Sequence, residues 1–115
     1  MTLRVYHLKT CDTCRKAIKE LKESHAELDL TDVHADGVAE ETLHTWIKTI
    51  GYEKVLNTRS TTWRALDDSA KSEMDDDKAL ALFSKHPTLI KRPVITDGET
   101  ITVGWKDDAK EMWLN

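Results

Sequence analysis

The chain has 115 residues, the length of one domain that can bury a core. It is 39% hydrophobic and 33% charged with a formal net charge of −4, which is typical of a soluble protein and excludes a global bias toward nucleic acid. No window approaches a membrane span and the N-terminus lacks a signal-peptide hydrophobic region, so we expect a cytoplasmic protein without a membrane partner.

The first part of the chain predicts a β-α-β unit. Residues 3–6 alternate and are β-rich, which indicates a strand. Thr10 or Asp12 is expected to cap the helix that follows. The residues that share one face of this helix are Cys14, Ala17, Ile18, Leu21 and His25. Residues 27–30 predict a second strand, parallel to the first and joined to it by a right-handed crossover.

The middle of the chain predicts only helices. Residues 40–50 form an amphipathic helix that Gly51 ends. Residues 55–66 have a mixed pattern. Two short helices are expected at residues 67–74 and 77–86, and the acidic run between them has no calcium-loop spacing and predicts a solvated helix start.

The last part predicts a β-hairpin and a helix. Residues 89–96 are apolar and β-branched, and Asp97-Gly98 separates them from a second β-branched run at 100–103. A helix is expected from Asp107 toward Leu114. The order β-α-β, helices, β-β-α predicts an α/β fold in one domain, residues 1–115, with a helical insertion at about residues 38–87.

Cys11 and Cys14 are the only cysteines, and they directly follow the first strand as Cys-Asp-Thr-Cys. A thiol at a helix start lies near backbone N–H groups and a dipole that favour the nucleophilic thiolate. In a chain without a secretion signal, such a pair indicates catalysis or metal binding rather than a structural disulfide. Zinc would need two further ligands, and the five histidines include no closely spaced pair, so we expect no metal.

Three motifs give the chain a resemblance to a known family. They are CDTCRKA at residues 11–17, LNTRSTTWR at 56–64 and LIKRPVI at 89–95. With these motifs the chain resembles the arsenate reductase (ArsC)/Spx-like family over essentially its whole length, and is most similar to the YffB-type branch. The resemblance implies a thioredoxin-like fold, a small mixed sheet with the helical insertion between the second and third strands.

The resemblance also implies an anion site beside a nucleophile. Cys11 is the nucleophile, and Arg59 and Arg92 match the family positions that line the site, where a guanidinium binds a carboxylate or oxyanion through two parallel hydrogen bonds. Pro93 matches the family's cis-proline, although an X-Pro bond is cis only roughly 5–6% of the time. It would present backbone groups to a thiol or peptide substrate.

The charged neighbours of Cys11 and the second thiol are less clearly assigned. Lys9 and Arg15 can add to the thiolate bias, whereas Asp12 opposes it. Cys14 has two interpretations. Its spacing lets it resolve a disulfide on Cys11, but it also lies on the apolar face of the helix, where a cysteine packs as a small hydrophobe.

The function implied by the resemblance is a glutathione-dependent thiol-disulfide oxidoreductase with no bound cofactor and glutathione as co-substrate. An alternative is an Spx-like redox-sensitive regulator that binds the RNA polymerase α-subunit without direct nucleic-acid contact. Spx-type sequences usually continue well beyond the last helix, which weakens this alternative. Arsenate reductase is the third candidate. Trp105 stands where those enzymes have a third arginine, and Asp12 would place an anion beside the oxyanion. Trp63 and Trp105 are expected near the cleft.

Overall fold

The computed structural model describes residues 2–24 and 27–114. The chain divides into two compact units, one made of Met1–Asp36 with Arg92–Asn115 and the other of Gly37–Lys91. We call them the sheet unit and the helical unit. No helix in the described ranges is long and apolar enough to cross a membrane.

Four strands of the sheet unit form one mixed sheet in the order β2-β1-β3-β4. The strands are β1 (Thr2–His7), β2 (Glu27–Asp32), β3 (Val94–Thr96) and β4 (Ile101–Val103). β1 and β2 are parallel and joined by helix α1 (Asp12–Glu23), which confirms the predicted β-α-β unit. β3 is antiparallel to both β1 and β4. The predicted α/β fold with a thioredoxin-like arrangement is confirmed.

The core of the sheet unit lies between the sheet, α1 and the last helix, which is α7 (Asp107–Leu114) in chain order. Alternation along β1 buries one face of the strand, and the 3.6-residue period of α1 buries Cys14, Ala17 and Leu21, as predicted. The buried cluster consists of Leu3, Val5, Ala17, Leu21, Ile95, Trp105 and Ala109. His25, which the pattern assigned to the same helix face, lies outside the described residues.

The helical unit contains α2 (Glu40–Ile50), α3 (Tyr52–Val55), α4 (Thr61–Ala65), α5 (Asp68–Lys71), α6 (Asp76–Lys85) and a 3₁₀ turn (Pro87–Leu89). α2 has the predicted bounds, and Gly51 ends it with φ of +88°, a backbone conformation that glycine adopts without strain. The acidic run starts α6, because the Asp75 carboxylate accepts a 2.8 Å hydrogen bond from the Lys78 amide.

The β3–β4 hairpin is confirmed, and Ile95 pairs with Thr102 across it. The loop runs from residue 97 to residue 100. The Asp97 carboxylate accepts hydrogen bonds from the amides of Glu99 and Thr100, at 2.9 and 2.8 Å. These bonds lower the pKa of Asp97, the Thr100 amide having the larger effect.

Two local predictions are wrong. The strand expected over residues 89–96 is limited to Val94–Thr96, because Pro93 has no N–H group to extend the ladder. Before it, Ile90 makes only an isolated bridge to Leu56. α1 is capped by neither Thr10 nor Asp12. Its N-cap residue is Cys11, whose amide donates to the Leu8 carbonyl at 3.0 Å.

Candidate active site

Cys11 stands at the junction between the turn after β1 and the first turn of α1. Its backbone is extended, with φ of −90° and ψ of 115°, and its carbonyl accepts the first helical hydrogen bond, from the Arg15 amide at 3.1 Å. The thiol is free and half-buried. This position leaves the sulfur beside N–H groups of the first helical turn that have no partner within the helix.

The pKa of the Cys11 thiol is lowered. Burial has the largest single effect and acts in the opposite direction, because it disfavours the charged thiolate. It is outweighed by hydrogen bonds from the Cys14 amide, the Cys14 thiol and the Arg92 side chain, together with the positive charge of Arg92. Cys11 is therefore the thiol of this chain that is suited to nucleophilic attack.

Cys14 has the opposite character. It is fully buried and free, and burial raises its pKa to about 12. The backbone of Leu8 lowers that pKa, while the hydrogen bond to Cys11 and the negative charge there raise it further. In the reduced protein Cys14 is thus a protonated thiol that donates to Cys11.

Arg92 and Pro93 complete the surroundings of the two thiols. Arg92 is half-buried, hydrogen-bonds Cys11 and lowers the pKa of Cys14 through its charge. The Arg92-Pro93 peptide bond is cis and Pro93 is buried at the start of β3, in agreement with the sequence. The Pro93 carbonyl accepts a 2.9 Å hydrogen bond from the Gly104 amide.

Arg15 and Lys9 are placed less directly. The Arg15 guanidinium donates from Nε to the Lys9 carbonyl at 2.9 Å and pairs with the Asp12 carboxylate at 3.4 Å. Arg15 therefore connects the turn before Cys11 with the first turn of α1. Lys9 is exposed. A role in anion binding for either residue stays a prediction.

Arg59 belongs to the helical unit, in a turn that its own motif builds. The Asn57 side chain accepts from the Arg59 amide at 3.1 Å, and Ser60 caps α4 by accepting from the Trp63 amide at 3.0 Å. Arg59 is exposed. The turn accounts for Asn57 and Ser60 by local structure, and the anion-binding role of Arg59 stays a prediction.

Trp105 does not line a cleft, contrary to the sequence interpretation. Its side chain is 6% exposed within the core cluster, and its indole Nε1 donates to the Glu20 carboxylate. Glu20 is nine residues after Cys11, about 13 Å along the axis of α1. Trp63 is half-buried in the helical unit, with Lys71 Nζ 5.3 Å from its ring centroid.

Asp32 is a site residue that the sequence interpretation missed. It is buried at the end of β2, and its carboxylate accepts from the amides of Lys9, His34 and Ala35, at 3.2, 2.9 and 2.9 Å. These bonds lower its pKa, the Ala35 amide having the largest effect. Buried His7 is its neighbour across the β1–β2 ladder. An acidic residue near the end of a predicted strand of the β-α-β unit was the available signal.

Metal binding has no support in the described part of the chain. No group of three or more His, Cys, Asp or Glu side chains within residues 2–24 and 27–114 is arranged to hold an ion.

The chain is similar to known proteins in sequence and in fold. The family model described as "ArsC family" matches residues 6–112. The uncharacterised protein YusI of Bacillus subtilis is 36% identical over 117 residues, which cover 98% of this chain and 99% of YusI. The global transcriptional regulator Spx of the same organism is 24% identical over 112 residues, covering 96% of this chain and 85% of Spx.

Among solved structures, that of the protein YFFB (PA3664) is similar along nearly the full length. The TM-score is 0.91 at 38% identity, and the match covers 98% of this chain and 99% of that one. The likeness therefore includes both the sheet unit and the segment of the helical unit.

Proposed function

Because this chain belongs to the ArsC family of thiol-based redox proteins, we propose that it is a glutathione-dependent thiol-disulfide oxidoreductase with Cys11 as its nucleophile. The observation that most strongly supports the proposal is the lowered pKa of Cys11, held down by hydrogen bonds from Cys14 and Arg92. A stabilised thiolate at a helix start is the species that attacks a disulfide.

The reaction proceeds by two exchanges. The Cys11 thiolate attacks one sulfur of the substrate disulfide, forming a mixed disulfide and releasing the other sulfur as a thiolate. A glutathione thiolate then attacks the Cys11 sulfur and releases the second substrate thiolate. A second glutathione attacks the remaining Cys11–glutathione disulfide, giving glutathione disulfide and restoring Cys11. Two electrons pass from two glutathione molecules to the substrate, and no bound cofactor is needed.

The neighbours of Cys11 have distinct roles in this scheme. Arg92 stabilises the thiolate at the start and at the end of the cycle, and we assign it to a carboxylate of glutathione. For Arg59, the proposed anion-binding role rests on the family resemblance. The segment at the cis Arg92-Pro93 bond would contact the bound disulfide. Cys14 donates a hydrogen bond to Cys11, and it replaces the first glutathione as the attacking group only if its own proton is lost.

Mass spectrometry after treatment with oxidised glutathione tests the scheme. We expect a glutathione adduct on Cys11 in the wild type, and its absence in Cys11→Ser. A stable adduct found only in Cys14→Ser would identify Cys14 as the resolving thiol, and an adduct in both proteins would make glutathione the resolver. Full disulfide reductase activity in Cys11→Ser would overturn the proposal.

A second candidate is an Spx-like regulator that binds the RNA polymerase α-subunit. The similarity to Spx and the paired thiols favour it, because a Cys11–Cys14 disulfide would remove the thiolate and report oxidation. A pull-down with the purified α-subunit, using reduced and oxidised protein, decides this. Retention in neither redox state removes the candidate.

Arsenate reduction is disfavoured by two residues. Trp105 is a core residue at the position where the resemblance calls for a third arginine, and Asp12 places an exposed carboxylate next to Cys11. A negative charge beside an oxyanion pocket is unfavourable. Arsenate-dependent oxidation of NADPH in the presence of glutathione, glutaredoxin and glutathione reductase would reverse this ranking.

A further inference from the structure

An open groove runs along one flank of α1 in the sheet unit. Its volume is about 510 Å³, and the described residues that line it are Arg15, Ile18, Lys19, Lys22 and Glu23. At 100° per residue these positions form a single stripe along the helix. The stripe begins one turn after Cys11 and leads away from it.

The groove lies on the flank of α1 that bears Ile18, and the described residues that line it all belong to α1. Glu20 lies on the flank of α1 opposite Ile18, where its carboxylate accepts a hydrogen bond from the Trp105 indole, and Trp105 lies two residues after the edge strand β4. On the β2 side, Leu30 is 40% exposed. Leu30 lies beside Val5 in the ladder and therefore on the same face of the sheet as α1.

The groove is cationic on an acidic protein. It presents three cations and one anion, whereas the whole chain has a net charge of −4. Arg15 pairs with Asp12, but Lys19 and Lys22 form no ion pair with a carboxylate in the described ranges. Both lysines are exposed. Their charge is thus available to an incoming group, and local potential of this kind selects and steers a charged partner.

We propose that this groove binds an acidic, extended segment of a partner protein whose disulfide is the substrate of Cys11. The inference rests on the proposed function and names its substrate class as a protein rather than a small disulfide. The chemistry of recognition is charge on Lys19 and Lys22, with Ile18 and Leu30 offering apolar contact for a neighbouring side chain.

The spacing fixes where the acidic residues of the partner lie. Lys19 and Lys22 are eight and eleven residues after Cys11, about 12 and 16 Å along the helix axis. An extended chain rises about 3.3 Å per residue. An acidic residue four positions from the reactive cysteine of the partner would therefore reach Lys19, or one five positions away would reach Lys22, depending on which of the two alternating side chains faces the helix.

Turnover of matched peptides tests the proposal. One peptide has Asp four and five positions from a central cysteine on both sides, a second has Asn there, and both are glutathione mixed disulfides. We expect kcat/KM to be roughly tenfold higher for the Asp peptide, and the preference to vanish in Lys19→Glu/Lys22→Glu and at about 1 M salt. Lys48→Glu/Lys54→Glu, with exposed lysines on α2 and α3, is the matched control and should keep it.

A binding measurement separates this inference from the proposed function. Fluorescence anisotropy with cysteine-free Asp and Asn peptides requires no chemistry, so a preference for Asp that the groove variant loses supports the groove even if no disulfide is turned over. Equal binding of both peptides would overturn the inference. So would a wild-type dimer that the groove variant dissociates, because the occupant would then be a second copy of this chain.

Discussion

The Cys14 thiol hydrogen-bonds the sulfur of Cys11, and the two groups have opposite pKa shifts. The pKa of Cys11 is lowered and that of Cys14 is raised to about 12, so Cys11 is the more acidic thiol and Cys14 is the group that keeps its proton and donates. Two of the effects that raise the pKa of Cys14 come from Cys11. Once Cys11 is in a mixed disulfide its charge is gone, and the pKa of Cys14 falls toward the value set by burial, the Leu8 backbone and Arg92.

Replacing Arg92 tests how much its hydrogen bond and positive charge lower the pKa of Cys11. Arg92→Ala removes a hydrogen bond and a positive charge from Cys11, so the pKa of Cys11 should rise, and the rate of alkylation by iodoacetamide at neutral pH should fall several-fold. The measurement is the pH dependence of absorbance at about 240 nm. Arg4→Ala, which removes an exposed arginine of β1, is the control and should leave the curve unchanged. An unshifted curve in Arg92→Ala would contradict the assignment.

Replacing Cys14 with alanine or serine tests how much its side-chain hydrogen bond lowers the pKa of Cys11. Cys14→Ala should raise the pKa of Cys11 because the side-chain donor is lost, while Cys14→Ser keeps a donor and should raise it less. Both variants keep the donating backbone amide and Arg92, so part of the lowering of the Cys11 pKa should remain. Titration of Cys11 by alkylation and mass spectrometry measures this. A larger shift in Cys14→Ser than in Cys14→Ala would contradict it.

The sequence predicted best those features that depend on residues close together along the chain. The position of Cys11 follows from the end of β1 and the start of α1, and the helix bounds of α2 follow from its apolar period and Gly51. The cis bond before Pro93 was predicted from the family resemblance and agrees with the structure.

Features that depend on distant contacts were not predictable from local pattern. The Trp105 side chain has an apolar ring and a polar N–H group, so it is compatible with either a cleft or a core. Its place in the buried cluster with Leu3 and Ile95 shows that it is a core residue. Asp32 looks like an ordinary polar residue at a strand end. Its importance comes from accepting the Lys9 amide, which is 23 residues away along the chain.

Trp105 should therefore behave as a stability residue. Trp105→Ala removes a buried aromatic side chain and should cost about 3–5 kcal/mol in the free energy of unfolding. Trp105→Phe retains most of the buried area but loses the hydrogen bond to Glu20, so it should cost less. Urea denaturation measures both. If Trp105 lined the cleft instead, Trp105→Phe would change the affinity for glutathione while leaving stability intact.

Asp32 should stabilise the folded protein, in part by accepting a hydrogen bond from the turn before Cys11. Asp32→Asn weakens three hydrogen bonds to a buried charged acceptor and should destabilise the protein by about 1–3 kcal/mol at neutral pH. Because the folded pKa of Asp32 is lowered, its contribution is present above the ordinary pKa and is lost as pH falls through the folded value. The difference in the free energy of unfolding between Asp32→Asn and the wild type should become smaller at acidic pH. A difference that is constant from neutral to acidic pH would contradict this.

The raised pKa of Cys14 predicts falling stability in alkali. Between the ordinary value of 9.0 and about 12, the unfolded chain loses the Cys14 proton while the folded protein keeps it. The unfolded state then binds fewer protons, so the free energy of unfolding should fall by up to roughly 1.4 kcal/mol per pH unit. Cys14→Ala lacks this group, and its stability should fall less steeply from pH 9 upward when both proteins are denatured with urea under reducing conditions. Comparing Cys11→Ser with Cys11→Ser/Cys14→Ala removes the contribution of Cys11, so the difference between those two slopes isolates Cys14. Parallel slopes would show that Cys14 ionises as readily in the folded protein as in the unfolded chain.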